Sequence, residues 1–249
     1  MARAPFFNPI LVSAVLLVLA GCGLLAGSPS ASPVTSSPPP SNTAPGASAA
    51  GLRYVALGDS FTIGTSVATE ARWPDQLVAA LGPTPPTLHL VANLGVNGFT
   101  SRDVIDVELP KLDGLRSEFL SLLVGVNDVV QGVSAETFRR NAGLILDDLV
   151  ARVPADRILV VTTPDYTVTP AGADFGDPTT QAAAIRATNT SLSELAAAHG
   201  ITVVDIYDLS LRAGPDRSLV AGDGLHPSGV QYALWVRRIA PEVERLLGR

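Results

Sequence analysis

Arg53-Tyr54-Val55-Ala56-Leu57-Gly58-Asp59-Ser60-Phe61-Thr62-Ile63-Gly64 begins as an apolar, β-branched run and breaks at a glycine followed by an acid and a serine. Nearly continuous hydrophobicity suits a strand covered on both faces, as in a parallel sheet. Four later runs have the same character: Leu88-His89-Leu90-Val91-Ala92, Phe119-Leu120-Ser121-Leu122-Leu123-Val124, Arg157-Ile158-Leu159-Val160-Val161 and Ile201-Thr202-Val203-Val204-Asp205-Ile206. Between them the period becomes helical. Phe138, Ala142, Ile145 and Leu149 step by four, three and four behind a cap residue at Ser134. Asp177-Pro178 reads as an N-cap and first turn of a helix that stops at Gly200. A last helix, residues 228–247, places Ala233, Val236, Ala240, Val243 and Leu247 on one stripe, with Pro241 expected to kink it or start a new segment. Strands alternating with helices imply right-handed crossovers and an α/β fold: a three-layer α/β/α sandwich around a five-stranded parallel sheet.

In such a sheet, ligands bind outside the carboxyl ends of the strands. Four polar blocks fall there or just before the last helix. They are Gly58-Asp59-Ser60, Asn93-Leu94-Gly95-Val96-Asn97-Gly98-Phe99-Thr100, Gly125-Val126-Asn127-Asp128 and Asp223-Gly224-Leu225-His226. Each alone has the composition of an ordinary turn. Chemistry links them. A serine at a strand-to-helix junction is an exposed nucleophile that needs a base. His226 is the histidine with an acid three residues earlier, and Asp223 can reach its Nδ1 from there. The N–H groups of Ser60 and Gly95 and the side-chain amide of Asn127 can form an oxyanion hole.

In order and in residue type, these blocks resemble those of the SGNH/GDSL hydrolases, over residues 53–247. Ser60, Gly95, Asn127 and His226 match the four residues that name the family, and Phe61 stands where the older motif has Leu. The resemblance implies the flavodoxin-like sandwich and a serine esterase or lipase. Ser60 would attack, His226 would carry the proton and Asp223 would orient it, with no cofactor and no metal. The family includes lipases, lysophospholipases, thioesterases and carbohydrate O-acetyl esterases. An acyltransferase to a sugar hydroxyl and a non-catalytic ligand-binding lipoprotein remain as rival readings.

Other residues read more plainly. Thr62 lies two after Ser60, where the nucleophile elbow of the larger α/β-hydrolases needs Gly. No phosphate loop, dinucleotide fingerprint or zinc-binding His-Glu-x-x-His occurs. His89 in a strand and His199 at a helix end are structural, and Trp73-Pro74 starts a helix whose indole packs on the sheet. Asp59 braces the nucleophile turn, and Asp128 has an orienting role in its loop. Residues 163–177 form a connection longer than the usual two to six residues. They carry Tyr166 and Phe175, as a substrate-contacting flap or as a plain surface loop.

The first fifty residues stand apart. Residues 10–20 are apolar except for Ser13, too short to span about 30 Å of hydrocarbon but suited to a secretory signal. They end in Leu19-Ala20-Gly21-Cys22, which resembles the bacterial lipobox whose Cys is diacylated. Pro, Ser, Ala and Gly fill 22 of the 28 positions from 23 to 50, a composition that cannot offset its ordering entropy. The expected organisation is a signal peptide over 1–21, a lipidated Cys22 with a disordered spacer over 22–50, and the hydrolase domain over 51–249. Two acyl chains anchor far better than one, so the expected location is extracytoplasmic and membrane-tethered. The whole chain has a net charge of −6, and the single Cys excludes an intrachain disulfide and a multi-cysteine metal site. An acidic chain of this kind is no nucleic-acid partner.

Overall fold

The computed structural model describes residues 51–249; the expected signal peptide, Cys22 and spacer lie outside them. The chain runs β1 (Leu52–Gly58), a single helical turn α1 (Ser60–Ile63), α2 (Trp73–Leu81) and β2 (Leu88–Asn93). A short α3 (Ser101–Asp103) leads into an irregular helical stretch over 104–114, then β3 (Phe119–Leu123), α4 (Val126–Val130) and α5 (Ala135–Arg152). Next come β4 (Ile158–Val161), α6 (Pro178–Ala198), β5 (Thr202–Val204), α7 (Tyr207–Leu211) and α8 (Gly229–Leu246). All strand pairs are parallel, in the order β2-β1-β3-β4-β5. The five expected strands, and the doubly covered sheet, are those read from the sequence.

The pleat sorts each strand's side chains between two cores. From β1, Tyr54 and Ala56 face one side with Phe119, Leu123, Leu159 and Val161, under Trp73 and Leu77 of α2 and Tyr232, Trp235 and Ile239 of α8. Val55 and Leu57 face the other with Leu120, Leu122, Ile158 and Val160, under Phe138, Ala142, Ile145 and Leu149 of α5 and Leu192 and Ala196 of α6. Each fully buried side chain of this size contributes about 1.5–3 kcal/mol, so the sheet is held from both faces. The one polar intrusion in β3 is satisfied: Ser121 Oγ and Tyr54 OH lie 2.7 Å apart. Two caps fall where expected, Ser134 accepting from Thr137 N and Asp177 from Thr180 N, and Ser228 caps α8 by accepting from Gln231 N, each such cap being worth about 1 kcal/mol.

Of the kink or new segment expected at Pro241, no new segment starts: α8 continues through the proline. Proline has no N–H for the carbonyl of Arg237, an exposed residue, while the buried face holds the helix on α2. The core stripe is also rotated from the expected one. Its buried positions are Tyr232, Trp235, Val236, Ile239 and Val243, whereas Ala233 and Ala240 lie at its margin. The large aromatics take the centre because they remove most apolar area from water. No helix among the described residues is long and apolar enough to cross a membrane.

The strand order reverses direction at β1: the chain steps out to β2, then returns across β1 to β3. A crevice therefore opens at the carboxyl ends of β1 and β3, where ligands bind in open α/β sheets. Ser60 follows β1 and Asn127 follows β3.

Candidate active site

Ser60 sits in the first turn after β1, and the buried core dictates that turn. Asp59 is its N-cap. The Oδ1 atom accepts from Phe61 N at 2.9 Å, and the Asp59 carbonyl accepts from Thr62 N and Ile63 N, both at 3.0 Å. Asp59 is fully buried, and burial lifts its carboxyl to about 8 against the bond from Phe61. Its expected bracing role thus matches its contacts. Gly58, at φ +146°, has no room for a side chain: a Cβ would lie 2.1 Å from the Leu123 carbonyl oxygen. Its N–H donates to Glu108 Oε2 at 2.9 Å. Glu108, buried and likewise raised to about 8 chiefly by burial, reaches this turn from the irregular stretch after α3. Sequence reading missed it, because a lone Glu in a mixed stretch looks like a surface residue.

The second and third blocks close on the same turn. Gly95 packs so tightly that a Cβ would stand 2.8 Å from both Asp59 O and Ile63 N. Its N–H bonds Asn93 Oδ1 at 3.2 Å, while Asn93 Nδ2 donates to Thr62 O at 2.7 Å. Asn127, at the start of α4, donates one Nδ2 hydrogen to Phe99 O at 2.9 Å and lines the cleft beside Ser60. The other amide hydrogen is left for a ligand. Behind it, Asp128 accepts from Ser101 N (2.8 Å) and Ser101 Oγ (2.5 Å), tying α4 to α3 in the orienting role expected of it.

The fourth block folds as an Asx turn. Asp223 Oδ1 accepts from Leu225 N at 2.9 Å and His226 N at 3.0 Å; its Oδ2 accepts from His226 Nδ1 at 2.6 Å. Partial burial works to raise the Asp223 carboxyl, but donors from Ser66, Leu225 and His226 outweigh it and hold the group well below the usual carboxylate range. The acid is therefore ionised and favours the proton on Nδ1, which leaves the Nε2 lone pair free to accept a hydrogen bond. The His226 ring lies 5.4 Å, centre to centre, from that of Phe61.

Ser60, Asn127 and His226 line one open cleft, enclosing about 50 Å³, with Phe61, Val126, Val130, Tyr166, Phe175 and Leu225. Ser60 and His226 share its wall without a hydrogen bond between them among the described residues, a looseness common in sites without substrate. Of the long connection after β4, both expected aromatics reach the cleft. Tyr166 is buried and its hydroxyl donates to Gln181 Oε1 at 3.0 Å, while Phe175 is 39% exposed and meets Tyr166 edge-on at 5.8 Å. Phe61, Val126, Val130 and Leu225 were not anticipated; each sits one to three residues from a motif residue and reads in sequence as core. The other histidines lie apart from the cleft lining. His89 is on the edge strand β2, and His199 caps α6 with Nε2 2.8 Å from Asp147 Oδ1. Trp73 is fully buried at the start of α2.

The sequence profile of the GDSL-like lipase/acylhydrolase family matches residues 56–234, a span that contains all four blocks. The chain belongs to this family. It is a carboxylic ester hydrolase with the α/β fold of that group. Solved structures share the fold at low identity. An alpha/beta hydrolase from the metagenome of Lake Arreo, Spain, superposes with a TM-score of 0.60 at 21% identity, covering 80% of this chain and 96% of that one. The lipase/acylhydrolase from Enterococcus faecalis gives 0.61 at 20% identity, covering 78% and 96%. An acetylxylan esterase from Geobacillus stearothermophilus gives 0.59 at 18% identity, covering 80% and 95%. Comparison with curated protein sequences finds no match.

Proposed function

We propose that this GDSL-like hydrolase is a serine esterase that cleaves short acyl or acetyl esters outside the cytoplasmic membrane, tethered by lipid on Cys22. The observation that carries the reading is the Asp223–His226 pair, closed at 2.6 Å, beside Ser60 on the wall of one cleft. Ser60 Oγ attacks the ester carbonyl carbon while His226 Nε2 takes its proton. The carbonyl oxygen, now negative, is held by the Ser60 N–H, the second Asn127 amide hydrogen and the Gly95 N–H, which gives up its long 3.2 Å bond to Asn93 Oδ1 to do so. His226 returns the proton to the leaving alkoxide, and water, activated in the same way, releases the acid from the acyl-enzyme. Domain limits of 1–21, 22–50 and 51–249 belong to this reading.

Support for a short acyl group comes from size and lining. The cleft encloses only about 50 Å³, far below the roughly 300–1,000 Å³ of pockets that bury drug-sized ligands. Tyr166 and Phe175 form one of its walls, as the contact of a substrate with the long connection after β4 requires. The same fold serves an acetylxylan esterase in Geobacillus stearothermophilus, so a glycan O-acetyl group is a fitting candidate.

The test is kcat/KM on p-nitrophenyl esters from acetate to palmitate, beside acetylated xylan and lysophospholipid. A maximum at the shortest chains is expected. A maximum at palmitate or on lysophospholipid contradicts the acyl-length reading. In the producing cell, Cys22→Ala should leave the protein soluble or unprocessed; a shortened mature form that stays in the membrane fraction contradicts the anchor.

A further inference from the structure

The Asp223 carboxylate has a fourth donor that lies outside the four sequence blocks. Ser66 Oγ donates to Asp223 Oδ2 at 2.6 Å, onto the same oxygen that accepts from His226 Nδ1 at 2.6 Å. With Leu225 N and His226 N on Oδ1, each carboxylate oxygen carries two donors. A carboxylate saturated in this way cannot rotate without breaking a charge-assisted bond.

Ser66 comes from the opposite side of the site, 157 residues earlier, six positions after the nucleophile. The backbone turns back there. Gly64 caps α1 at φ +72°, Thr65 N bonds the Ser60 carbonyl at 3.1 Å, and Ser66 stands at φ +65°. Among the described non-glycine residues only Ser66 and Arg116 have positive φ. Glycine would take that conformation without strain but would bring no hydroxyl. The serine is thus held in an unfavourable backbone geometry at the point where its side chain meets the acid of the proposed triad.

We infer that Ser66 is a positioning residue for the ester hydrolysis: its hydroxyl locks the Asp223 carboxylate toward His226 and ties the nucleophile's loop to the loop of the base. Because Ser60 and His226 have no direct hydrogen bond in the resting site, this tie helps set the distance across which the proton must move. The inference rests on the proposed roles of Ser60, His226 and Asp223.

The test compares Ser66→Gly and Ser66→Ala with wild type in the full chain. Loss of one hydrogen bond to a charged group should lower kcat roughly tenfold in both variants, with KM within about twofold. Ser66→Gly should melt close to wild type, because relief of the positive-φ backbone offsets part of the lost hydrogen bond. The downfield Nδ1–H proton resonance of His226 should move in Ser66→Gly. In an Asp223→Ala background the same change should cost nothing further, because its route of action is gone. Wild-type kcat in Ser66→Gly, or an equal loss in the Asp223→Ala background, overturns the inference. Ser60→Ala on the same substrate keeps the two questions apart. If Ser60→Ala remains active, the triad reading fails; if it is dead while Ser66→Gly is fully active, only the role of Ser66 fails.

Discussion

The two halves of the proposed catalytic apparatus are built by different means. Ser60 stands on a turn welded to the core. Asp59 and Glu108 are buried, Gly58 has no room for a Cβ against the Leu123 carbonyl, and Gly95 abuts the turn's backbone. His226 and Asp223 stand on a loop with side chains 13% and 29% exposed. What shapes that loop is its own hydrogen bonding, namely the Asx turn, the Ala221 N to His226 O bond at 2.7 Å and the isolated bridge between Val220 and Pro227. The contrast separates stability from chemistry. Changes on the nucleophile's side act through the fold as well as the reaction, whereas changes on the base's side should remove the reaction and leave the fold.

The largest effect expected on the base's side is that of His226→Ala. Loss of the base in a serine triad costs about 10⁴- to 10⁶-fold in kcat, and loss of the orienting acid costs less, so Asp223→Ala should retain more activity. His226→Ala should melt close to wild type, whereas Asp223→Ala, which removes the acceptor of four hydrogen bonds, should cost about 1–3 kcal/mol confined to the loop. Measuring kcat and melting temperature on one preparation checks this. A His226→Ala protein that unfolds far below wild type would break the comparison.

Asn127→Ala tests the boundary between the halves. Its amide should bind the carbonyl oxygen only as charge develops. The expected loss is therefore about 100- to 1,000-fold in kcat with little change in KM. Because Nδ2 also holds the Phe99 carbonyl at 2.9 Å, a stability cost of about 1 kcal/mol should accompany it. A stable variant keeping more than about a third of wild-type kcat would remove Asn127 from the oxyanion hole.

The smallest effect concerns the buried acids beneath Ser60. Glu108 and Asp59 are raised to about 8 in the fold, from ordinary values of 4.5 and 3.8. The unfolded chain therefore releases these protons near pH 4 while the folded chain keeps them to about 8. Their contribution to stability is full below the lower value, falls as pH rises between the two, and is lost above the higher. Glu108→Gln keeps a carbonyl for the Gly58 N–H and removes one of these titrations. Its melting temperature should gain on wild type by a few degrees between about pH 5 and pH 9. Parallel melting curves across that range would contradict the shift assigned to Glu108.

What the sequence made legible follows from the same contrast. Strands buried on both faces read as unbroken apolar runs, and the four blocks are short, ordered and rich in residues with known chemistry. The Asp223–His226 contact is local, three residues apart, so spacing alone announces it. Long-range partners leave no such trace. Ser66 looks like any loop serine until the fold brings Asp223 to it. Glu108 looks solvent-exposed until the stretch over 104–114 carries it under Gly58. In α8 the apolar positions are dense enough to allow more than one stripe, and only packing against Trp73 and Leu77 selects the one centred on Tyr232 and Trp235.

The central claim is that Ser60 is the nucleophile, and covalent labelling tests it most directly. A fluorophosphonate should add once to the wild-type chain, mapped to Ser60 by peptide mass, and should abolish ester hydrolysis in step with labelling. Ser60→Ala should take no label and show only background hydrolysis while melting as a folded protein. Label on another residue, with Ser60→Ala still hydrolysing esters, would contradict the account.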